Sequence, residues 1–368
     1  MTDLLYSDIE EQLRKSVRDL LADRAPWTEV LRRLETAQPY DPALWQALAG
    51  NIGVAGLAVA EQAGGQGASW REAAVVAEEL GRAVAGTPFL GSSVLATVVA
   101  SCAGASDLLA GLADGTQTAA VAVAMDTAPG DAFPSAVAAS ASGTLTGAVR
   151  NVVDARTADH LLVPAVGPGG PAVYRVDASA AVREDVVSFD LTRPLSDLAF
   201  EAVPAQAVAE GEDARAALEA ALVTGAAILA SEQLGLAQQC LDTTVDYLKT
   251  RYQFARPLGS YQALKHRVAD LWAAVTQARA LARYAADCAA TEDPDTPVAA
   301  AMAQSHCSQT AVRAAEECVQ LHGGIGFTWE HPAHLYLKRA KADAILLGTP
   351  RRHRARLATL VDLPAATV

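Results

Sequence analysis

Arg251-Tyr-Gln-Phe-Ala-Arg-Pro-Leu-Gly-Ser-Tyr-Gln-Ala-Leu-Lys-His266 interrupts two long stretches of helical period, and its place between them decides how the C-terminal third folds. Upstream, Leu218, Leu222, Leu229, Leu236, Leu241, Val245 and Leu248 recur in helical register, which predicts one long amphipathic helix. Downstream, Leu264, Val268, Leu271, Val275, Ala278 and Leu281 follow in steps of four and three, the stripe of a bundle helix. Pro257 and Gly259 end the first helix before the second begins. The acidic, proline-bearing TEDPDTP at 291 separates the second helix from a third, from about Val298 to Leu321, and the remaining residues supply one or two more. The expected unit is a four-helix bundle over 213–368. Gly225 and Gly235 inside the long helix cost about 1 kcal/mol each relative to alanine, which close approach of a neighbouring helix or subunit explains as well as sequence drift does.

Working toward the N-terminus, the texture changes. Between 116 and 212 the chain breaks into short runs, VAVAM at 121, GTLTGAVRNVV at 143, HLLVPAV at 160 and AVYRVD at 172, with a GPGGP turn at 167. Alternating runs bounded by Gly, Pro and Asp predict a small antiparallel β domain, sandwich- or barrel-like. From 1 to 115, Ile9, Leu13, Val17 and Leu20 recur at helical spacing, and Trp70 to Val84 is rich in Ala, Glu and Arg, so this part reads as all-α. The fold class is therefore α+β and multidomain, in the order helices, sheet, helices.

Composition narrows the function. A chain of 368 residues buries enough surface to need neither disulfide nor metal. Its five cysteines, Cys102, Cys240, Cys288, Cys307 and Cys318, form no CxxC pair and read as reduced, mostly buried residues of a cytoplasmic protein. The early charges of MTDLLYSDIEEQLRKSVRDLL do not fit a secretory signal, and no apolar run of about twenty residues predicts a membrane span. A formal net charge of −13 argues against general nucleic-acid binding, though not against a local basic pocket for a phosphate-bearing ligand.

Four stretches carry unusual chemistry. The Arg251–Gly259 turn holds two arginines and the Gln253 amide, a set that can grip a diphosphate through bidentate contacts and free backbone N–H groups, or simply end a helix with solvated arginines. Gln262 and His266 lie one helical turn apart on one face, as ligand contacts or as surface groups. Gln320-Leu-His-Gly-Gly-Ile-Gly-Phe327 places three glycines within four positions, more than a helix C-terminus requires, and glycine permits close contact with a ligand. Glu330, in Thr328-Trp-Glu-His-Pro-Ala-His334, stands beside Trp329, and an aromatic wall would raise its pKa toward that of a general base. His331 and His334 belong to no metal-ligand pattern.

Together these stretches resemble the acyl-CoA dehydrogenase family. RYQFARPLGSYQALKHRVADL at 251 and QLHGGIGFTWEHPAHLYLKRAKAD at 320 look like the family's two C-terminal signatures, and GLAVAEQAGGQGASWREAAVVAEELGRA at 56 looks like its N-terminal one. The resemblance implies an FAD-dependent oxidoreductase of lipid catabolism that desaturates an acyl-CoA thioester. Glu330 would remove the α-proton, the β-hydride would pass to flavin N5, and an electron-transfer flavoprotein or similar acceptor would reoxidise the flavin. It assigns Arg251, Gln253, Phe254, Gln262, His266, Gln320, Gly323 and Gly324 to the diphosphate and adenosine end of a neighbouring subunit's FAD. Gly348 and Thr349 stand where relatives touch flavin, and the implied assembly is a tetramer.

The departures lie around the flavin ring. AMDTAPGDAFPSA at 124 replaces the usual Thr-Glu-Pro and Ser-Gly-Ser elements, no tryptophan lies between Trp70 and Trp272, and Ala255 and Ala60 replace the usual glycine and proline. A homotetramer with a divergent pocket, a heterotetramer in which this chain supplies part of each site, and a non-catalytic relative kept for assembly all remain open at this level.

Overall fold

The computed structural model describes residues 4–36, 38 and 40–364; the outermost residues of the two terminal regions therefore lie outside the described part. Among the described residues the α-helices of the first region are Asp8–Arg24 (α1), Trp27–Leu34 (α2), Pro42–Gln46 (α3), Trp70–Ala83 (α4), Thr97–Cys102 (α5) and Ser106–Ala113 (α6). Two start for the same local reason. Ser7 with Glu10, and Ser69 with Glu72, form reciprocal capping boxes that satisfy the free N–H groups of a first turn. A more widely wound helix, Phe89–Ala96, runs directly into α5, and all eight of its residues are buried.

The sheet domain follows: Ala119–Val121 (β1), Val137–Ala139 (β2), Thr144–Val153 (β3), His160–Gly167 (β4), Gly170–Asp177 (β5), Val182–Val186 (β6), Leu195–Pro204 (β7) and Gln206–Glu210 (β8). The strands join in the order β6-β7-β3-β2-β4-β5-β8, with β1 beside β4. The expected antiparallel pairing holds except at β4, which takes both β1 and β2 in parallel, so the sheet is mixed. Leu145, Val152, Leu161, Val163, Val176, Leu198 and Phe200 form a core belonging to this domain alone.

Gly211–Thr250 (α7, 40 residues), Gln262–Ala290 (α8, 29 residues) and Thr296–His322 (α9, 27 residues) are the long bundle helices. Two 11-residue helices, Ala333–Asp343 (α10) and Pro350–Leu360 (α11), complete the bundle in place of one long fourth helix. Among described helices only α7 is long and apolar enough to cross a membrane, and 89% of its apolar window is buried inside the protein. From Ala221 to Ala237 every residue of α7 is buried, so it is a central helix rather than the amphipathic one its leucine pattern suggests.

Its glycines mark close crossings. A Cβ on Gly235 would stand 1.8 Å from the Glu78 carbonyl oxygen, and one on Gly81 of α4 would stand 2.0 Å from that of Glu232. Close approach of a neighbouring helix of the same chain, not drift, accounts for Gly235.

A buried ion cluster joins the sheet domain to the bundle. Arg339 of α10 donates to Asp190, to Thr192 and, at 2.6 Å, to Glu232 of α7, while Arg193 also donates to Glu232. Asp343 lies 3.6 Å from Arg193 in the same enclosure, where burial pushes its carboxyl well above the usual carboxylate range.

Candidate active site

The Arg251–Gly259 segment is a two-residue hairpin. Tyr252 and Gln253 pair antiparallel with Pro257 and Arg256, and the Leu258 amide donates to the Arg251 carbonyl at 2.8 Å. Phe254 and Ala255 form the tip with φ of 51° and 61°, the left-handed pair of a type I′ turn, which normally selects Asn and Gly. The tip presents Phe254 89% exposed. The Arg256 guanidinium lies over the Tyr261 ring at 3.7 Å, and the Tyr261 hydroxyl donates to the Gln253 carbonyl at 3.2 Å. This cation–π contact was not singled out in the sequence; arginine and tyrosine five residues apart in a proline-bearing turn were its only signal.

The three-glycine segment reaches the same end of the bundle. Tyr247, one turn before Arg251, stacks on His322 with ring centroids 4.4 Å apart, so the C-termini of α7 and α9 meet. Gln320, Gly323 and Gly324 are exposed there, and a Cβ on Gly323 or Gly324 would meet nothing within 4 Å. Gln262 and His266 are exposed at the start of α8 and pair with each other at 3.3 Å. Arg251, Gln253, Phe254, Gln262, His266, Gln320, Gly323 and Gly324 thus share one exposed end of the bundle.

Glu330 is at that end as well. His331 stacks on His322 at 4.1 Å, burial pushes the His331 imidazole down to about 4, and the Glu330 amide donates to Thr328 Oγ1 at 3.3 Å. The expected aromatic wall is absent around its carboxylate. Glu330 is exposed, and Trp329, itself 64% exposed, packs its indole against His334 and beneath the Lys338 ammonium.

Gly348 and Thr349 are elsewhere. Thr349 caps α11, and Gly348 is buried against the sheet-domain loop, where a Cβ would lie 2.7 Å from Ala128 Cβ. The neighbouring Leu347 reaches Gly225 of α7; from there to Tyr247 is 22 residues of helix, roughly 33 Å, and to Arg251 about 39 Å. An extended FAD is shorter than that. Within one chain, therefore, Glu330 and the Arg251 hairpin lie at one end of α7, and Gly348 and Thr349 lie near Gly225, far along the same helix.

The chain is thus a helical domain, a mixed sheet and a helical bundle, with a glycine- and arginine-lined end of the bundle left exposed. Profiles of the acyl-CoA dehydrogenase N-terminal and C-terminal domains match residues 7–107 and 214–361. The chain is 35% identical to "Acyl-CoA dehydrogenase IpdE2" of Mycolicibacterium smegmatis over 95% of this chain and 98% of that protein. It is similar in structure to a variant of the Tcur3481-Tcur3483 steroid ACAD, with a TM-score of 0.86 and 32% identity over 96% of this chain and 98% of the other. The ChsE4-ChsE5 complex from Mycobacterium tuberculosis gives 0.88 at 25% identity, covering 99% of this chain and all of that one.

This chain belongs to the acyl-CoA dehydrogenase family, whose members are oxidoreductases that use FAD. The residues present fit the dinucleotide part of that cofactor, since the exposed end offers Arg251, Gln253 and two glycines open to close approach.

Proposed function

We propose that this chain is a subunit of an assembled acyl-CoA dehydrogenase that introduces an α,β double bond into a coenzyme A thioester. It contributes the diphosphate- and adenosine-binding end of an FAD whose ring is held by another chain. The observation that supports this reading is the separation of about 39 Å along α7 between the Arg251 hairpin and Gly225, where Leu347, next to Gly348, packs. When bound, FAD supplies the hydride acceptor.

In this assembly Arg251 and Gln253 hold the diphosphate, the open backbone at Gly323 and Gly324 lets it approach, and Arg256, fixed over Tyr261, adds positive charge to the same face. The base that removes the α-proton comes from the chain that holds the ring, while Glu330 lies beside the dinucleotide handle. An electron-transfer flavoprotein or similar acceptor takes the electrons.

Acyl-CoA bleaching of the assembled enzyme tests this reading. Arg251→Ala is expected to lower FAD retention, whereas Glu330→Gln should keep the bleaching rate within about threefold. A loss of 10²–10⁴ in Glu330→Gln, the size expected on removing a general base, would return Glu330 to the reacting carbon and sink this arrangement.

A further inference from the structure

We propose that Cys240 and Cys318 form a reversible dithiol site, oxidised to a disulfide by a hydroperoxide, and that this oxidation loosens the chain's hold on FAD. The thiol chemistry stands on the cluster's own residues; the coupling to FAD rests on the dinucleotide end proposed above.

The two cysteines come from different helices. Cys240 lies in α7 and Cys318 in α9, both buried, and the Cys240 S–H donates to Cys318 Sγ across the contact between the helices. His322, one turn beyond Cys318 on the same helix, completes the cluster. Its Nδ1 lies 2.6 Å from the Cys318 carbonyl oxygen and 3.7 Å from Cys318 Sγ. A nitrogen so close to a carbonyl oxygen carries a proton, so the sulfur beside it accepts rather than donates. Cys318 thus receives hydrogen bonds from two sides, which is the environment of a thiolate. Its acidity agrees: the Cys240 thiol and His322 hold Cys318 down to about 5 against its burial. Burial pushes Cys102, Cys240, Cys288 and Cys307 up instead.

Such a pair has a defined course with a hydroperoxide. The Cys318 thiolate attacks the terminal oxygen; an S–O bond forms, the O–O bond breaks, and the departing alkoxide takes the proton that His322 shares with the sulfur. The Cys240 sulfur then attacks Cys318. The S–S bond forms as the S–O bond breaks, and the hydroxide leaves with the Cys240 proton as water. The two cysteines give up two electrons, and the hydroperoxide is reduced to an alcohol and water. The way in is short, since Gln320, Gly323 and Gly324 are exposed within six positions of Cys318.

Oxidation changes the dinucleotide end in two ways. Closing the S–S bond to about 2.05 Å draws α7 and α9 together. That movement bears on the stack of Tyr247, His322 and His331, whose ring centroids are 4.4 and 4.1 Å apart. The bond also removes the thiolate. Burial pulls the His322 imidazole down, and the Cys318 sulfur and carbonyl overcome it, so its pKa lies above the ordinary value. With the Cys318 charge gone, burial between Tyr247 and His331 favours the neutral ring. A positive charge is then lost beside Gly323, on the face proposed to hold the diphosphate.

Peptide mapping tests the site. The purified chain is treated with hydrogen peroxide, alkylated and digested. A peptide joining Cys240 to Cys318, lacking two hydrogens and split by dithiothreitol, is expected before exposed Cys102 is modified. In Cys240→Ser, a sulfenic acid at Cys318 trapped by dimedone should replace the link. Modification of Cys102 first, or an unmodified Cys318 in both proteins, would overturn the site. In the assembled enzyme, peroxide is expected to weaken FAD retention about fivefold or more, with dithiothreitol restoring it. Unchanged retention with the link formed would overturn the coupling. Retention that Arg251→Ala also leaves unchanged would remove the dinucleotide reading of the preceding subsection, while the mapped link would still uphold the thiol site.

Discussion

Asp154 is enclosed where the sheet domain meets the Phe89–Ala96 helix. Its Oδ2 accepts from the Gly91 amide at 3.0 Å, and burial pushes the carboxyl up to about 6 despite the nearby Arg193. A carboxyl with a raised native pKa contributes most to stability while both states are protonated, below about pH 4, and that contribution is lost as pH rises through 6. An asparagine at this position mimics the protonated form and keeps an acceptor for the Gly91 amide. Asp154→Asn should therefore gain about 2–3 kcal/mol on the parent between pH 4 and pH 7, read from urea unfolding at the two pH values. A gap that does not change with pH would mean that Asp154 is ionised throughout. Gly324 separates ligand contact from stability in a similar way. Its Cβ position is open, so Gly324→Ala should change unfolding free energy by no more than about 0.5 kcal/mol while weakening FAD retention in the assembled enzyme. Unchanged retention would remove Gly324 from the dinucleotide site.

At the scale of elements, the Phe254–Ala255 tip holds two side-chain-bearing residues in left-handed backbone, a conformation that costs roughly 1 kcal/mol or more at each. Ala255→Gly should relieve part of this and raise stability by about 1 kcal/mol in thermal unfolding; a loss would show that the hairpin is not strained there. The α4–α7 crossing behaves oppositely. Gly235→Ala gains about 1 kcal/mol of helix propensity but drives a methyl into the Glu78 carbonyl, so a net loss of 1–3 kcal/mol is expected in urea.

These two elements mark the limits of what the sequence revealed. The hairpin was legible as a turn with arginines because proline, glycine and the helical stripes around it are local signals. Its I′ form was not, since neither Phe nor Ala announces positive φ. The helices of the bundle were readable from their periods, whereas the burial of α7 all round from Ala221 to Ala237 depends on α4 and the Phe89–Ala96 helix packing from far along the chain. The aromatic wall expected beside Glu330 failed for the same reason. Its neighbour Trp329 was visible, but which way the indole turned, toward His334 and Lys338, is a tertiary fact.

At the scale of the whole molecule, the sheet domain has a core of its own, yet the main core runs through both helical regions and includes Val153, Leu162, Val173, Leu195 and Ala209 of the sheet. The polar seam across that junction is the Arg339 cluster, with Asp190 and Thr192 on the sheet side and Glu232 and Asp343 on the bundle side. Arg339 is 2% exposed, so its removal takes the ion pair from buried Asp190 and leaves buried Glu232 paired with Arg193. Arg339→Ala should cost about 3–5 kcal/mol. Its effect is also expected to be uneven. Once the seam is cut, the sheet's private core can come apart separately from α7 and α9, so calorimetry should replace one transition by two. Retention of a single transition with a loss under about 1 kcal/mol would show that apolar contact alone couples the domains. The same variant should leave the Arg251 hairpin intact, because α7 between Glu232 and Arg251 is fixed independently by α8 and α9.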